Sequence, residues 1–277
     1  MRYLILVPLL TLVLFAQPAP QAAVKSIRAL PDDNLAYPVL ITFRNNTGSG
    51  FYVNTNTGMY LVTAKHVLFD PVTGLPPDTS FELLSYSKDL SDPTPNLLMV
   101  DMNKAGMQNF LRHQSEDVAV FKILTSDPAH PERGDVVPGI TVRSIAKMGF
   151  LGVGPDSIKK FDEVLVGNDV IVLGYPTSLG LQNMPQIDSH RPLLRKGIIA
   201  GANPRTHSII LDCPAYPGNS GSPVIESDPE GLGHRFKIIG VVSQYVPYAD
   251  GGKTFIIMAN SGYSLVTPMD YVMELIK

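Results

Sequence analysis

Three residue types in the right order could supply a nucleophile, a base and an orienting acid. Ser220 stands in Gly218-Asn219-Ser220-Gly221, at the centre of the run Ile209 to Ile225 (IILDCPAYPGNSGSPVI), where small residues and Pro217 put it on a tight bend between two β-type runs. Glycine at 218 and 221 tolerates backbone angles closed to other residues, and the N–H groups of Gly218 and Ser220 can face one concavity suited to an oxyanion. His66 follows the β-type run Met59 to Thr63, and Asp117 precedes the apolar run Val118 to Ile123. A hydroxyl needs a base to become a nucleophile, and a neutral imidazole needs an acceptor to fix its tautomer. Each residue also has a plain structural reading. The glycine-rich stretch is a turn sequence, Asp117 can cap a strand, and His66 is one of six histidines, with 113, 130, 190, 207 and 234.

The elements that would position them read as strand after strand. In the front half these are Tyr37–Phe43, Phe51–Val53, Met59–Thr63, Phe81–Tyr86, Leu97–Met102 and Val118–Ile123, with a loop from Asn54 to Gly58. Ser126 to Phe161 loses periodicity and reads as a connection between two halves. Its glycines at 149, 152 and 154 lack the strand-to-helix setting of a dinucleotide loop. The rear half offers Asp169–Leu173, Gly197–Ala202, Ser208–Leu211, Phe236–Val242 and Thr254–Met258. Thr267 as N-cap and Pro268 at the first helical position would start a helix from Met269 to Ile276.

Composition narrows the function classes. The chain has 277 residues, 44% of them hydrophobic and 17% charged, with a net charge of −3 and no Lys/Arg-rich run, so no nucleic-acid partner is expected. Arg2, the apolar run Tyr3 to Phe15 and the small residues Ala22-Ala23 have the order of a signal peptide spanning residues 1–23. At about 13 residues that run is shorter than the roughly 20 of a spanning helix, so the mature protein is expected to be exported, without stable membrane insertion. Cys213 is the single cysteine; it allows no internal disulfide and reads as a small buried hydrophobe. No histidine pair has ligand spacing, so neither a metal nor another cofactor is expected. Asn45-Asn46-Thr47 fits a glycosylation acceptor in a host that glycosylates.

Thr63-Ala64-Lys65-His66, Asp117-Val118-Ala119-Val120 and Gly218-Asn219-Ser220-Gly221-Ser222-Pro223 resemble the corresponding segments of trypsin-like serine proteases, in order and in rough spacing, over about residues 37 to 270. The lack of disulfides, Gly174-Tyr175-Pro176, Lys196-Gly197-Ile198-Ile199 and Asn219 before the serine make the chain most similar to bacterial high-temperature-requirement proteases without a PDZ domain. The resemblance implies an all-β fold of two six-stranded antiparallel β-barrels with the active site in the cleft between them. The barrels would span about 36–125 and 162–262, joined by 126–161 and followed by a short helix at 268–277, all within a peptidase domain at 24–277. It implies His66, Asp117 and Ser220 as the catalytic residues, Gly218 and Ser220 as the oxyanion hole, and a cleft that takes polypeptide substrates in the bacterial periplasm or outside the cell.

Departures from the pattern refine the expectation. Asn219 replaces the aspartate that pairs with a freed N-terminus in trypsin-like zymogens, so activation by that ion pair is not expected. Ser222 replaces a glycine. Pro214, six residues before Ser220, replaces an acid at the base of the specificity pocket, and Tyr245 lies two residues beyond Ser243 on the pocket wall. Pro214, Ser243 and Tyr245 are therefore the expected substrate-binding residues, with a shallow pocket for small or medium apolar side chains. The chain ends with the protease domain, so a monomer or small oligomer is expected. The competing class is a trypsin-like scaffold that binds polypeptide without cutting it. An α/β-hydrolase is ruled out because Ser222 occupies the final glycine of Gly-x-Ser-x-Gly and the order of the three residues is reversed.

Overall fold

The structure is a computed structural model that describes residues 28–89, 91–127, 130–177, 184–231, 233–251 and 256–276. The expected signal peptide lies outside the described residues, as does 178–183 of the loop before Leu194. Among the described residues no helix is long and apolar enough to cross a membrane.

After a single turn of helix, α1 (Asp32–Leu35), the front half contains β1 (Pro38–Thr42), β2 (Thr47–Thr55), β3 (Gly58–Thr63), the one-turn helix α2 (Lys65–Leu68), β4 (Ser80–Ser85), β5 (Asn96–Asp101), α3 (Met102–Ala105), β6 (Phe110–Arg112), β7 (Ala119–Asp127), β8 (His130–Val136) and β9 (Ile140–Ser144). The rear half contains β10 (Asp169–Gly174), β11 (Leu193–Asn203), β12 (Ser208–Asp212), β13 (Pro223–Glu230), β14 (Gly233–Gly251), β15 (Ile256–Pro268) and α4 (Met269–Leu275).

The rear strands pair in a closed ring, β10-β11-β12-β15-β14-β13, as expected. Among the described residues the front half does not form a closed six-stranded barrel. Its nine strands follow an open path β6-β7-β3-β2-β1-β4-β5-β9, with β8 paired to β7 beside it. Two of them, β8 and β9, come from the segment read as a bare connection; β9 pairs with β5 from Leu97↔Ser144 to Val100↔Ile140. The short sequence ITVRS of β9 hides a strand because its middle three residues are exposed and only Ile140 packs against the front core. The sheet nevertheless curls on itself. Phe81 of β4 lies 5.9 Å from Phe121 of β7 and 6.3 Å from Phe110 of β6, although three strands separate β4 from β7 along the path.

Strands β2, β3 and β7 bury residues on both faces, which explains why apolar residues follow one another in Phe51–Val53, Met59–Val62 and Ala119–Phe121. Met59, Leu61 and Phe121 point into the front core, while their neighbours Tyr60, Val62 and Val120 join Leu173, Ile225 and Val241 of the rear half. That second cluster also receives Met269, Val272 and Ile276, which α4 presents at helical spacing. Thr267 pairs with Val241 at the end of β15, and Pro268 is the helix N-cap with no side-chain cap hydrogen bond. Thr267 is therefore strand, one residue earlier than its expected capping role requires.

Candidate active site

The front half delivers His66 on α2 and Asp117 on the turn between β6 and β7. The first N–H groups of any helix lack partners within it, and α2 has no side-chain cap at Ala64. Asp117 fills that need: its Oδ1 accepts the His66 backbone N–H at 3.0 Å, while Oδ2 lies 2.7 Å from His66 Nδ1. Gripping both backbone and ring fixes the imidazole, with the proton on Nδ1 and Nε2 left as acceptor.

The rear half delivers Ser220 on the bend before β13. Gly218 and Gly221 flank it at φ of 91° and 90°. A Cβ at Gly218 would stand 2.3 Å from Tyr175 O, and one at Gly221 would stand 1.9 Å from Ser49 O, so both positions require glycine. The bend is closed by Asn219 N–H to Tyr216 O and Ser222 N–H to Asn219 O, both 2.9 Å, and tied to β14 by Gly221 N–H to Val242 O at 2.8 Å. Asn219 is buried, and its Oδ1 accepts the Tyr216 N–H at 3.0 Å. The amide therefore braces its own loop, where an aspartate would look for an external cation. Among the described residues, the N–H groups of Gly218 and Ser220 have no hydrogen-bond partner. The Pro217 carbonyl accepts Thr177 N–H at 2.8 Å, which in a planar trans peptide turns the Gly218 N–H the opposite way.

Ser49 holds this loop, and sequence reasoning missed it. Its backbone N–H donates to Ser220 O at 2.8 Å and its Oγ donates to Gly218 O at 2.7 Å. The same Oγ accepts Tyr175 N–H at 3.0 Å, and Thr63 Oγ1 donates to Ser49 O at 2.6 Å. The serine is fully buried and lies within β2, which begins at Thr47, ahead of the expected start at Phe51. The available signal was the small-residue run Gly48-Ser49-Gly50, which marks close approach of another segment. Gly174 is a second such point: a Cβ there would stand 2.0 Å from Ser222 Oγ.

His66 and Ser220 line two cavities together; among the described residues no hydrogen bond joins them. The larger cavity, about 630 Å3, also has Phe43, Arg44, Asn46 and Gly218 in its wall. The smaller, about 230 Å3, is walled by Ala215, Tyr216, Pro217, Ser243, Gln244 and Tyr245. Ser243 and Tyr245 line this cavity, as do Ala215 and Tyr216, and Pro214 does not. Ser243 Oγ donates to Leu265 O at 3.0 Å, and it falls at a bulge where β14 slips register against β15. β13 pairs with β14 only up to Val241; among the described residues no strand lies along that edge of β14 from Ser243 onward, and Ser243, Gln244 and Tyr245 line this cavity. Cys213 is buried inside the rear barrel, where desolvation pushes its thiol up to about 11; it has no access to the cleft. Among the described residues no three His, Cys, Asp or Glu side chains converge as metal ligands would.

Residues 48–233 match the trypsin-like peptidase domain family, and the chain belongs to that family. No curated protein matches the sequence. Solved structures with a similar course include Deg5, at 18% identity and a TM-score of 0.47, covering 87% of this chain and 88% of that one. The HtrA-type protease AlgW with tripeptide gives 15% and 0.46, covering 87% of this chain and 59% of that one. A thermostable serine protease, AL20, from an extremophilic microorganism gives 13% and 0.48, covering 88% and 96%.

Proposed function

We propose that the protein is an exported serine endopeptidase that cuts polypeptides through Ser220, His66 and Asp117. The observation that carries this reading is the two-point grip of Asp117 on His66, beside a bend that brings Ser220 to a cavity that His66 also lines. His66 Nε2 takes the Ser220 proton as Oγ attacks the peptide carbonyl. Asp117 stabilises the resulting imidazolium, and the Gly218 and Ser220 N–H groups receive the oxyanion. Collapse of the tetrahedral intermediate breaks the C–N bond as His66 returns the proton to the leaving amine, giving an acyl-enzyme that water then hydrolyses. The free β14 edge accepts the substrate as an added strand, aligned with its carbonyl at Ser220.

The wall of the small cavity carries no acid other than Asp117, which is engaged with His66, so cleavage follows small or medium apolar residues. Digestion of a proteome-derived peptide library by the secreted protein, with Ser220→Ala as control, should give cuts after residues such as Ala, Val or Leu. Cuts dominated by Arg and Lys would refute the pocket assignment, and identical digests from both proteins would refute the endopeptidase reading. The missing Ser220–His66 hydrogen bond favours the second reading, a scaffold that binds polypeptide uncut. It is a weaker argument, because catalytic hydrogen bonds often tighten only in the substrate complex.

A further inference from the structure

The turn that carries Asp117 is held from both sides by one residue, His113. Its backbone N–H donates to Val118 O at 3.0 Å, extending the β6–β7 pairing past Arg112 and Ala119. Its ring Nδ1 accepts the Glu116 backbone N–H, also at 3.0 Å, so the residues before and after Asp117 are both bonded to His113. Its carbonyl accepts Lys65 Nζ at 3.0 Å, tying the same turn to the neighbour of His66. Because Nδ1 is an acceptor, the neutral ring carries its proton on Nε2. That atom faces Glu274 Oε2 of α4 at 3.4 Å, and the ring lies 4.8 Å from Tyr271. The side chain is only 16% exposed, so these partners cannot readily be replaced by water.

We propose that His113 is a positioning residue for Asp117. Its Nδ1 holds the Glu116 N–H, which fixes the turn so that both Asp117 oxygens meet His66, and α4 seats the ring from behind through Tyr271 and Glu274. This inference rests on the triad reading given above. It also gives α4 a task at the site. The helix grips the connection, where Phe161 N–H donates to Asp270 Oδ2 at 2.8 Å, and packs Tyr271 against His207 of the rear barrel at 5.3 Å. One short helix thus references the catalytic aspartate of the front half to the half that carries the serine.

The test compares the full chain with His113→Asn, His113→Gln and His113→Phe. Asparagine places an acceptor where Nδ1 was, glutamine places its amide nearer Nε2, and phenylalanine keeps only the packing on Tyr271. Two readouts are taken: the rate of labelling by a fluorophosphonate, and the low-field proton resonance of the His66–Asp117 hydrogen bond. Loss of one buried hydrogen bond at a positioning point should slow labelling about tenfold in His113→Phe and His113→Gln, and His113→Asn should stay within about threefold of the unaltered protein. The low-field resonance should survive in His113→Asn and broaden or vanish in the other two. Equal rates in all four proteins, or an asparagine variant as slow as phenylalanine, would overturn the proposal. If the unaltered protein does not label at all, the protease reading fails, while the resonance still decides whether His113 places Asp117. If phenylalanine does not fold, the asparagine–glutamine comparison carries the test.

Discussion

Ser49 shows how much of the site depends on a residue that takes no part in the chemistry. Its hydroxyl is shared by two backbone groups of the rear half, the Gly218 carbonyl and the Tyr175 N–H, both buried with it. Ser49→Ala leaves both buried groups without this partner, at a cost of about 1–3 kcal/mol. On the proposed reading Gly218 supplies one of the two oxyanion N–H groups, so the loss should fall on the reaction as well as on stability. The expected result is a fall of roughly ten- to a hundredfold in kcat for a fluorogenic peptide with KM little changed, since the donor acts on the tetrahedral oxygen. A variant with unchanged kcat would mean the bend holds its shape without Ser49.

At the scale of elements, a buried charge cluster joins the connection to the rear barrel. Lys159 Nζ lies 2.9 Å from both Asp228 oxygens and 2.8 Å from Glu226 Oε2, and Asn168 Nδ2 donates to Glu226 Oε1 at 2.7 Å. Burial pushes the fully buried Glu226 carboxyl above its usual range. For Asp228, burial is outweighed by the lysine and amide hydrogen bonds, and its carboxyl is held below the usual range. Lys159→Met strands this acidic pair and should cost about 3–5 kcal/mol in urea unfolding; a change under about 1 kcal/mol would show that the pair is solvated. None of this was legible in the sequence, because the acidic partners of Lys159 lie far along the chain from it. The strands that were legible are those with a one-sided or two-sided apolar pattern, such as β3, β7 and β10. β9 was missed because most of its side chains are exposed, and β14 continues to Gly251, well past its expected end at Val242, because the hairpin it forms outside the barrel is mostly exposed and lacks an apolar pattern. The three site motifs were legible because glycine, histidine and aspartate mark backbone and chemical needs locally. Ser49 and His113 were not, because their importance lies in partners distant in sequence or in backbone groups that a sequence does not display.

For the whole molecule, the two halves meet through a shared apolar cluster, the Ser49 hydrogen bonds and α4, so stability and site geometry rise and fall together. Loop carboxylates should contribute to the acid limit. Thr73 and Val72 hydrogen bonds hold Asp70 below its ordinary range, Lys147 and Thr94 backbone N–H groups do the same for Asp92, and the Lys104 N–H for Asp101. A depressed carboxyl contributes stability above its unfolded value, near 3.9, that is lost as pH falls through the folded value. Urea midpoints should therefore stay level from pH 7 to about 5 and drop below about pH 4; a steady decline starting at pH 6 would point to histidines instead. The most direct test of the central claim is labelling of the protein by a fluorophosphonate from pH 5 to 8, beside Ser220→Ala and His66→Ala. An activated serine predicts labelling that changes with pH and is absent from both variants. A folded protein that does not label at any pH, or that labels equally without His66, would contradict it.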